Sequence, residues 1–288
     1  DVCETVFSKP SELYAYSATI SHKKDRFVDC IEALPLNMGF MLEDSLYQRT
    51  HSVVYASATV AIGESFEAFE NAMGLNQSEN SQAATLRLDS SFDFDNNMTI
   101  YVPSDMPDPA ERSYLAHLQK LLVAAHLAQN GSMLTLFTNR REMDACYEAV
   151  NPQLKEADLR LVCQKWGVSV KGLRDEFLSN KQLSLFALKS FWEGFDAPGS
   201  TLRGVIVPKL PFAKPTDPLS CERGSRDADA WRHYVLPAAV IEMKQAAGRL
   251  IRTNTDQGIL ILADHRLLSK GYGKTFLRSM PSKNVKIM

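Results

Sequence analysis

The chain has 288 residues, 45% of them hydrophobic and 23% charged, and a formal net charge of -2. That is the make-up of an ordinary globular protein, long enough to bury a sizeable core in one large domain or two smaller ones. It excludes a surface that attracts polyanions everywhere, so any nucleic-acid contact must come from a local basic groove.

Leu13 to Ile20 and Ser52 to Ala56 read as strands. Between them, Phe27 to Tyr47 mixes apolar positions with Pro35 and Gly39, which interrupt any single long helix. Phe66 to Met73 is a short amphipathic helix, and the polar stretch from Asn76 to Asn97 is a loop or boundary. From Met98 the pattern becomes regular. Met98 to Val102 is a strand, and Asp108-Pro109 should start a helix with Asp as N-cap and Pro at its first position. Leu115, Leu118, Leu121, Leu122, Ala125 and Ala128 mark the apolar face of that helix, and Gly131 follows its end. Met133 to Phe137 is a strand running into Thr138-Asn139, which can cap a helix over Arg140 to Ala149. Strands follow at Leu159 to Cys163, Leu183 to Leu188, Gly204 to Leu210 and Gly258 to Ala263. Helices are predicted at Gly172 to Ser179, Pro237 to Ile251 and Tyr272 to Ser279, with a Pro-rich loop after Leu210.

Strands that alternate with helices imply an α/β fold, a parallel sheet with helices on both faces. Its regular part begins near residue 98. The boundary is placed so that residues 1–75 form the trailing part of a preceding domain and 76–288 the α/β domain. The 5 cysteines, Cys3, Cys30, Cys146, Cys163 and Cys221, include no C-x-x-C pair and suit neither a zinc site nor a disulfide framework. A reducing, cytoplasmic compartment is the simplest expectation. No apolar run is long enough for a bilayer and no signal-peptide pattern opens the chain, which begins at Asp1 and reads as an excised fragment.

Three segments carry candidate chemistry. Gln245-Ala-Ala-Gly-Arg-Leu-Ile-Arg252 would place Gln245, Arg249 and Arg252 on one helix face, with Gly248 permitting close packing beside them. Two guanidinium forks and an amide suit phosphate oxygens, although a solvated basic helix end explains the spacing as well. In Phe191-Trp-Glu-Gly-Phe-Asp-Ala-Pro-Gly199, Glu193, Gly194 and Asp196 follow a parallel strand, a place suited to a ligand. A tight turn built on Gly194, Pro198 and Gly199 is an equal reading. In Tyr55-Ala-Ser-Ala-Thr59 the small hydroxyls Ser57 and Thr59 end a strand and more commonly cap the next element.

Taken in order, these segments and Thr138-Asn139-Arg140 resemble the later motifs of superfamily 2 helicases, and in detail the DinG branch of the XPD-like DNA helicases. Ser90-Ser-Phe-Asp-Phe94, Lys209-Leu-Pro-Phe212 with Pro215 and Pro218, Asp264-His-Arg266 and Tyr272-Gly273 are similar to further elements of that branch. Ser91 departs from the family's usual Pro. The likeness runs over nearly the whole chain from Tyr14.

The resemblance implies two RecA-like motor domains with ATP and Mg in the cleft between them. The chain would hold the end of the first, at Ser57 to Thr59, and all of the second. Gly273-Lys-Thr275 and Asp175-Glu176 mimic Walker A and Walker B, but the first lacks its leading Gly, with Leu268 in that place, and the second lies in a helical pattern. By resemblance, Arg249 and Arg252 contact the γ-phosphate, one as an arginine finger, and Gln245 binds phosphate or the attacking water. Glu193, Gly194 and Asp196 couple nucleotide to DNA. Thr138, Asn139 and Arg140 touch the DNA backbone, although Asn139 is equally a helix cap. Phe212 and Trp192 can stack on bases, although core packing explains aromatic residues more often. The implied partners are single-stranded or forked DNA and the N-terminal motor domain, with 5′ to 3′ polarity, and no membrane. No iron–sulfur cluster is expected in this chain. Alone it should not hydrolyse ATP, because it lacks a P-loop. The alternative is a docking module for nucleic acid or protein that kept the fold without catalysis. A small-molecule enzyme on a doubly wound sheet ranks last, since no Gly-x-Gly-x-x-Gly turn is present.

Overall fold

The computed structural model describes residues 11–23, 26–76, 83–165, 168–188, 191 and 201–288. Two compact units emerge. One comprises residues 1–87 with 212–239, the other 88–211 with 240–288. The second unit thus begins at Leu88, and residues 212–239, which the sequence pattern left within the α/β domain, group with the N-terminal part.

In the first unit, β1 (Tyr14–Lys23) and β2 (Arg26–Pro35) form an antiparallel hairpin, with Tyr14 opposite Pro35. Pro35 closes β2, and Gly39 opens α1 (Gly39–Ser45), so the mixed Phe27 to Tyr47 stretch is a strand followed by a helix. A short helix, α2 (Glu67–Met73), lies where its amphipathic pattern predicts. Ser52 to Ala56 is not a strand. A strand needs another backbone alongside it, and Val54 is 88% exposed.

In the second unit, α3 (Phe94–Asn97) is a single turn capped by Asp93, inside the segment expected to be loop. It leads into β3 (Met98–Val102). Next, α4 (Tyr114–Gln129) starts later than the sequence suggests. Asp108 accepts from Ala110 N–H at 2.9 Å and closes only a turn, because no residue from 107 to 113 is buried to hold a longer helix in place. The chain leaves α4 through Asn130, Gly131 and Ser132, all with positive φ. A Cβ at Gly131 would lie 2.1 Å from the Gln182 carbonyl oxygen, so only Gly fits there.

The sheet continues with β4 (Met133–Leu136), β5 (Leu161–Cys163), β6 (Ser184–Ala187), β7 (Gly204–Val207) and β8 (Gly258–Leu262), each within or one residue from its predicted range. β9 (Val285–Ile287), which the sequence pattern does not reveal, adds an edge strand. The order is β5-β6-β4-β7-β8-β3-β9, and every pair is parallel. The central strands β4, β6 and β7 are buried at every residue, as parallel strands covered on both faces must be.

Of the covering helices, α5 (Arg140–Glu156) runs through Pro152 and buries Met143, Cys146, Val150 and Leu154 along one stripe. After it, α6 (Val170–Ser179) is capped by the Ser169 side chain and contains Asp175-Glu176, so that pair is helical. The Pro-rich loop after β7 encloses α7 (Pro218–Arg226), with Asp217 as cap and Pro218 at the first turn. Next, a π-helical turn (Trp231–Val235) runs into α8 (Leu236–Ala247). Then α9 (Arg266–Ser269) and α10 (Gly273–Ser279) follow β8. A Cβ at Gly273 would meet the Leu267 carbonyl oxygen at 2.0 Å, so this glycine serves close packing. Among the described residues no helix is long and apolar enough to cross a membrane.

Candidate nucleotide and nucleic-acid interfaces

Parallel strands put all their carboxyl ends at one edge of the sheet and all their amino ends at the other. This divides the candidate residues of the second unit into two groups. Thr138, Asn139 and Arg140 follow β4 at the carboxyl edge. Gln245, Gly248, Arg249 and Arg252 precede β8 at the amino edge.

At the amino edge, α8 ends at Ala247, four residues earlier than predicted, and tightens into a turn. Arg249 N–H donates to Ala246 O at 3.3 Å and Leu250 N–H to Ala247 O at 3.2 Å, both three-residue spacings. The shared helix face expected for Arg249 and Arg252 is therefore absent. Arg249 is 4% exposed, whereas Arg252 is exposed. The helix stops because the next turn has a stronger acceptor. Asp256, itself buried, takes the backbone N–H of Arg252 and of Thr253, each at 2.8 Å, and the Thr253 hydroxyl at 2.8 Å. Asp256 was not among the sequence candidates, although Thr253-Asn-Thr-Asp256 is a turn-forming cluster. Gly248 is not pressed by a neighbouring segment: a Cβ there would meet only Lys244 O at 3.3 Å and Gln245 O at 3.8 Å. The 3.3 Å approach is a tight one, so Gly248 permits close packing against the backbone of its own helix rather than against another segment. Gln245 stands in the last turn of α8 with a buried Oε1 that has no hydrogen-bond partner among the described residues.

At the carboxyl edge, the crossover after β4 leads toward β5, while β7 continues to β8 on the other side. The gap between β4 and β7 is thus a topological switch point, where open α/β sheets form a crevice. Asn139 caps α5 by accepting from Arg141 N–H at 2.9 Å. Arg140 donates to Gln164 O at 2.8 Å, and Gln164 Oε1 accepts from Leu188 N–H at 2.8 Å. Across the switch point, Lys209 pairs with Glu142 and lies 4.7 Å from the centre of the Tyr114 ring. The Tyr114 hydroxyl donates to Pro208 O at 2.7 Å, and burial pushes its pKa far up. Asp264 accepts Leu210 N–H at 2.8 Å and a two-pronged contact from Arg266, at 2.9 and 2.6 Å. That contact holds the Arg266 pKa above its ordinary value, since it stabilises the charged form.

Glu193, Gly194 and Asp196, with Trp192, lie outside the described residues. In the first unit, Ser57 Oγ accepts Thr59 N–H at 3.2 Å, the local capping that small hydroxyls usually provide. Phe212 is half-buried, its ring 5.8 Å from that of Trp231, which is 40% exposed. Burial pushes the Cys146 and Cys163 thiols up to about 12, so both are inert as nucleophiles at neutral pH. Among the described residues no three His, Cys, Asp or Glu side chains gather as a metal site.

Comparison with known proteins places this geometry in context. The chain is 32% identical over 279 residues to the protein named ATP-dependent DNA helicase YoaA of Escherichia coli, covering 95% of this chain and 41% of that one. It is 29% identical over 266 residues to "3'-5' exonuclease DinG" of Bacillus subtilis, covering 90% of this chain and 28% of that one. It therefore spans less than half the length of either relative. Among solved structures, an XPD helicase shares the fold with a TM-score of 0.66 at 16% identity, over 94% of this chain and 48% of that one. Xpd4 of S. tokodaii does so with a TM-score of 0.56 at 14% identity, over 90% and 49%. The sheet is parallel, as the sequence pattern led one to expect, and RecA-like, as the family resemblance implied. Residues 122–283, more than half the chain, match the helicase C-terminal domain family, and the chain belongs to that family in its DinG-type, XPD-like superfamily 2 branch.

Proposed function

We propose that this chain is the C-terminal motor region of an ATP-dependent DNA helicase. It would couple ATP hydrolysis to 5′ to 3′ movement on single-stranded DNA and to unwinding of forked duplexes. The observation that carries this reading is the separation of two polar groups to opposite edges of one sheet. The amino-edge corner suits phosphate through an exposed guanidinium at Arg252 and a buried one at Arg249, while the Gln245 amide can donate to a phosphate oxygen through its nitrogen and accept from the attacking water through its buried Oε1. ATP fits there by charge, and its γ-phosphate would meet Arg252 and Gln245, with Arg249 behind them. ATP supplies the phosphoryl group whose cleavage drives movement. Arg252, as the finger, would stabilise the negative charge that develops on that group. No magnesium ligand is assigned among these residues.

The carboxyl-edge crevice would take the DNA backbone through Thr138 and Arg140, with Asn139 chiefly a cap. Phe212 would offer a stacking surface next to Trp231. Glu193, Gly194 and Asp196 would couple the two edges. Residues preceding the sheet, with Ser57 and Thr59, would close the first motor domain, which is the natural partner of this unit. No iron–sulfur cluster is placed in this chain.

The test is single-stranded-DNA-stimulated ATPase of the full-length polypeptide. Arg252→Ala should lower kcat on the order of a hundredfold or more with folding intact. The isolated chain should show no appreciable turnover. Activity indifferent to DNA and to Arg252→Ala would favour the docking-module alternative. Unwinding of duplexes with a 5′ but not a 3′ single-stranded tail tests the polarity.

A further inference from the structure

We infer that Asp256 is a positioning residue for Arg252, setting where its guanidinium stands through the main chain. The inference rests on the reading of Arg252 as the phosphate-contacting group. Past the end of α8, Arg252 is no longer held by helical hydrogen bonds, and its side chain is exposed. An arginine on an unrestrained exposed turn samples many positions and is a poor electrostatic catalyst, since a preorganised charge is what lowers a barrier. Here the turn is restrained from below. The Asp256 carboxylate, 7% exposed, gathers the N–H groups of Arg252 and Thr253 on Oδ2 and the Thr253 hydroxyl on Oδ1, all at 2.8 Å. Three donors on a buried anion make a stiff clamp, because opening it would take three hydrogen bonds from a charge held away from water. Two residues on, Gly258 starts β8 in register with Met98, so the clamp is tied to the sheet. Asp256 needs no contact with substrate for this role. It fixes the backbone from which Arg252 reaches outward.

The geometry also separates the contributions of neighbours. Asn at position 256 keeps one carbonyl acceptor and can still receive the two N–H bonds, whereas Ala keeps none. Thr253→Ala removes only the hydroxyl bond and should weaken the clamp slightly.

The experiment is a double-mutant cycle on DNA-stimulated ATPase of the full-length polypeptide, comparing Asp256→Ala, Asp256→Asn, Arg252→Ala and Asp256→Ala with Arg252→Ala. Circular dichroism and nucleotide KM serve as controls. Asp256→Ala should lower kcat by roughly ten- to a hundredfold, the scale of misplacing a catalytic group by about 1 Å, with KM changed less than threefold or so. Asp256→Asn should recover most of that loss. The double variant should be no slower than Arg252→Ala alone, because the clamp acts only through that arginine. Full additivity of the two losses, or an unchanged kcat in Asp256→Ala, would overturn the inference. Should Asp256→Ala fail to fold, a folded variant combining Asp256→Asn with Thr253→Ala takes its place, since it loses the hydroxyl bond and the acceptor charge. It should lower kcat severalfold at unchanged KM and add nothing to Arg252→Ala, and an unchanged kcat in that variant counts against the clamp. A folded Asn variant as slow as Arg252→Ala counts against it. An Arg252→Ala enzyme with normal turnover instead overturns the functional reading on which the clamp depends.

Discussion

Asp264 accepts the backbone N–H of Leu210 at 2.8 Å, across two neighbouring parallel strands. The same carboxylate holds Arg266, so one side chain joins the loops that leave β7 and β8. Asp264 is 1% exposed, and its removal would strand a buried N–H and an arginine without its acceptor. Asp264→Ala should therefore cost about 2–4 kcal/mol, the lower part of that range applying if solvent reaches Arg266. Urea unfolding of the chain measures it, and a midpoint equal to that of the unsubstituted chain would show that the junction is not stabilising.

His126 gives the fold an acid limit. It lies fully buried in α4, its Nδ1 2.6 Å from Leu122 O and its ring 5.7 Å edge-on from that of Phe186. Burial lowers its pKa from 6.5 to about 4. Between those values the unfolded chain binds the proton and the folded one does not, so stability falls as pH drops below 6.5 and levels off near 4. The full loss is about 3 kcal/mol on the usual conversion. Denaturant titrations at pH 7 and 4.5 should show it, and His126→Leu should flatten this part of the profile. An equal pH slope in both proteins would assign the acid lability to other groups.

Asn139 serves as cap and is also a candidate DNA contact, and two substitutions separate these roles. Asn139→Ala should cost about 1 kcal/mol of stability, while Asn139→Asp should keep the cap. If the side chain also faces a phosphate, Asn139→Asp should weaken single-stranded DNA binding severalfold by charge repulsion with no loss of thermal stability. Unchanged affinity in Asn139→Asp would leave it a cap alone.

Most of the sheet was legible because its strands are uniformly apolar runs bounded by turn residues, as at Gly204–Val207. What local pattern does not encode is support from elsewhere in the fold. Asp108-Pro109 and Asp217-Pro218 look alike, yet only the second caps a helix, Asp217 accepting Ser220 N–H at 2.9 Å. The α7 that it starts is also tied down in its own unit, where Arg223 donates to Leu36 O at 3.0 and 2.6 Å and stacks on Tyr234. Ser52 to Ala56 has a strand-like sequence without a strand neighbour among the described residues. At the candidate site, the residue types in Gln245 to Arg252 were readable, but the helix end was not. The competing acceptor, Asp256, stands outside the motif, and an acidic residue in a polar turn is too common to single out.

The placement of β3 also bears on how the chain is made. Met98 finds its sheet partner at Gly258 on one side, and Ile100 finds Val285 on the other. A nascent chain leaving the ribosome at ~5–20 residues per second would hold this strand for on the order of ten seconds before either neighbour exists. Its sequence, MTIYV, is apolar, β-branched and uncharged, the kind that pairs readily with a stranger. Synthesis thus has a vulnerable interval, which ends only when the last strands emerge and enclose β3.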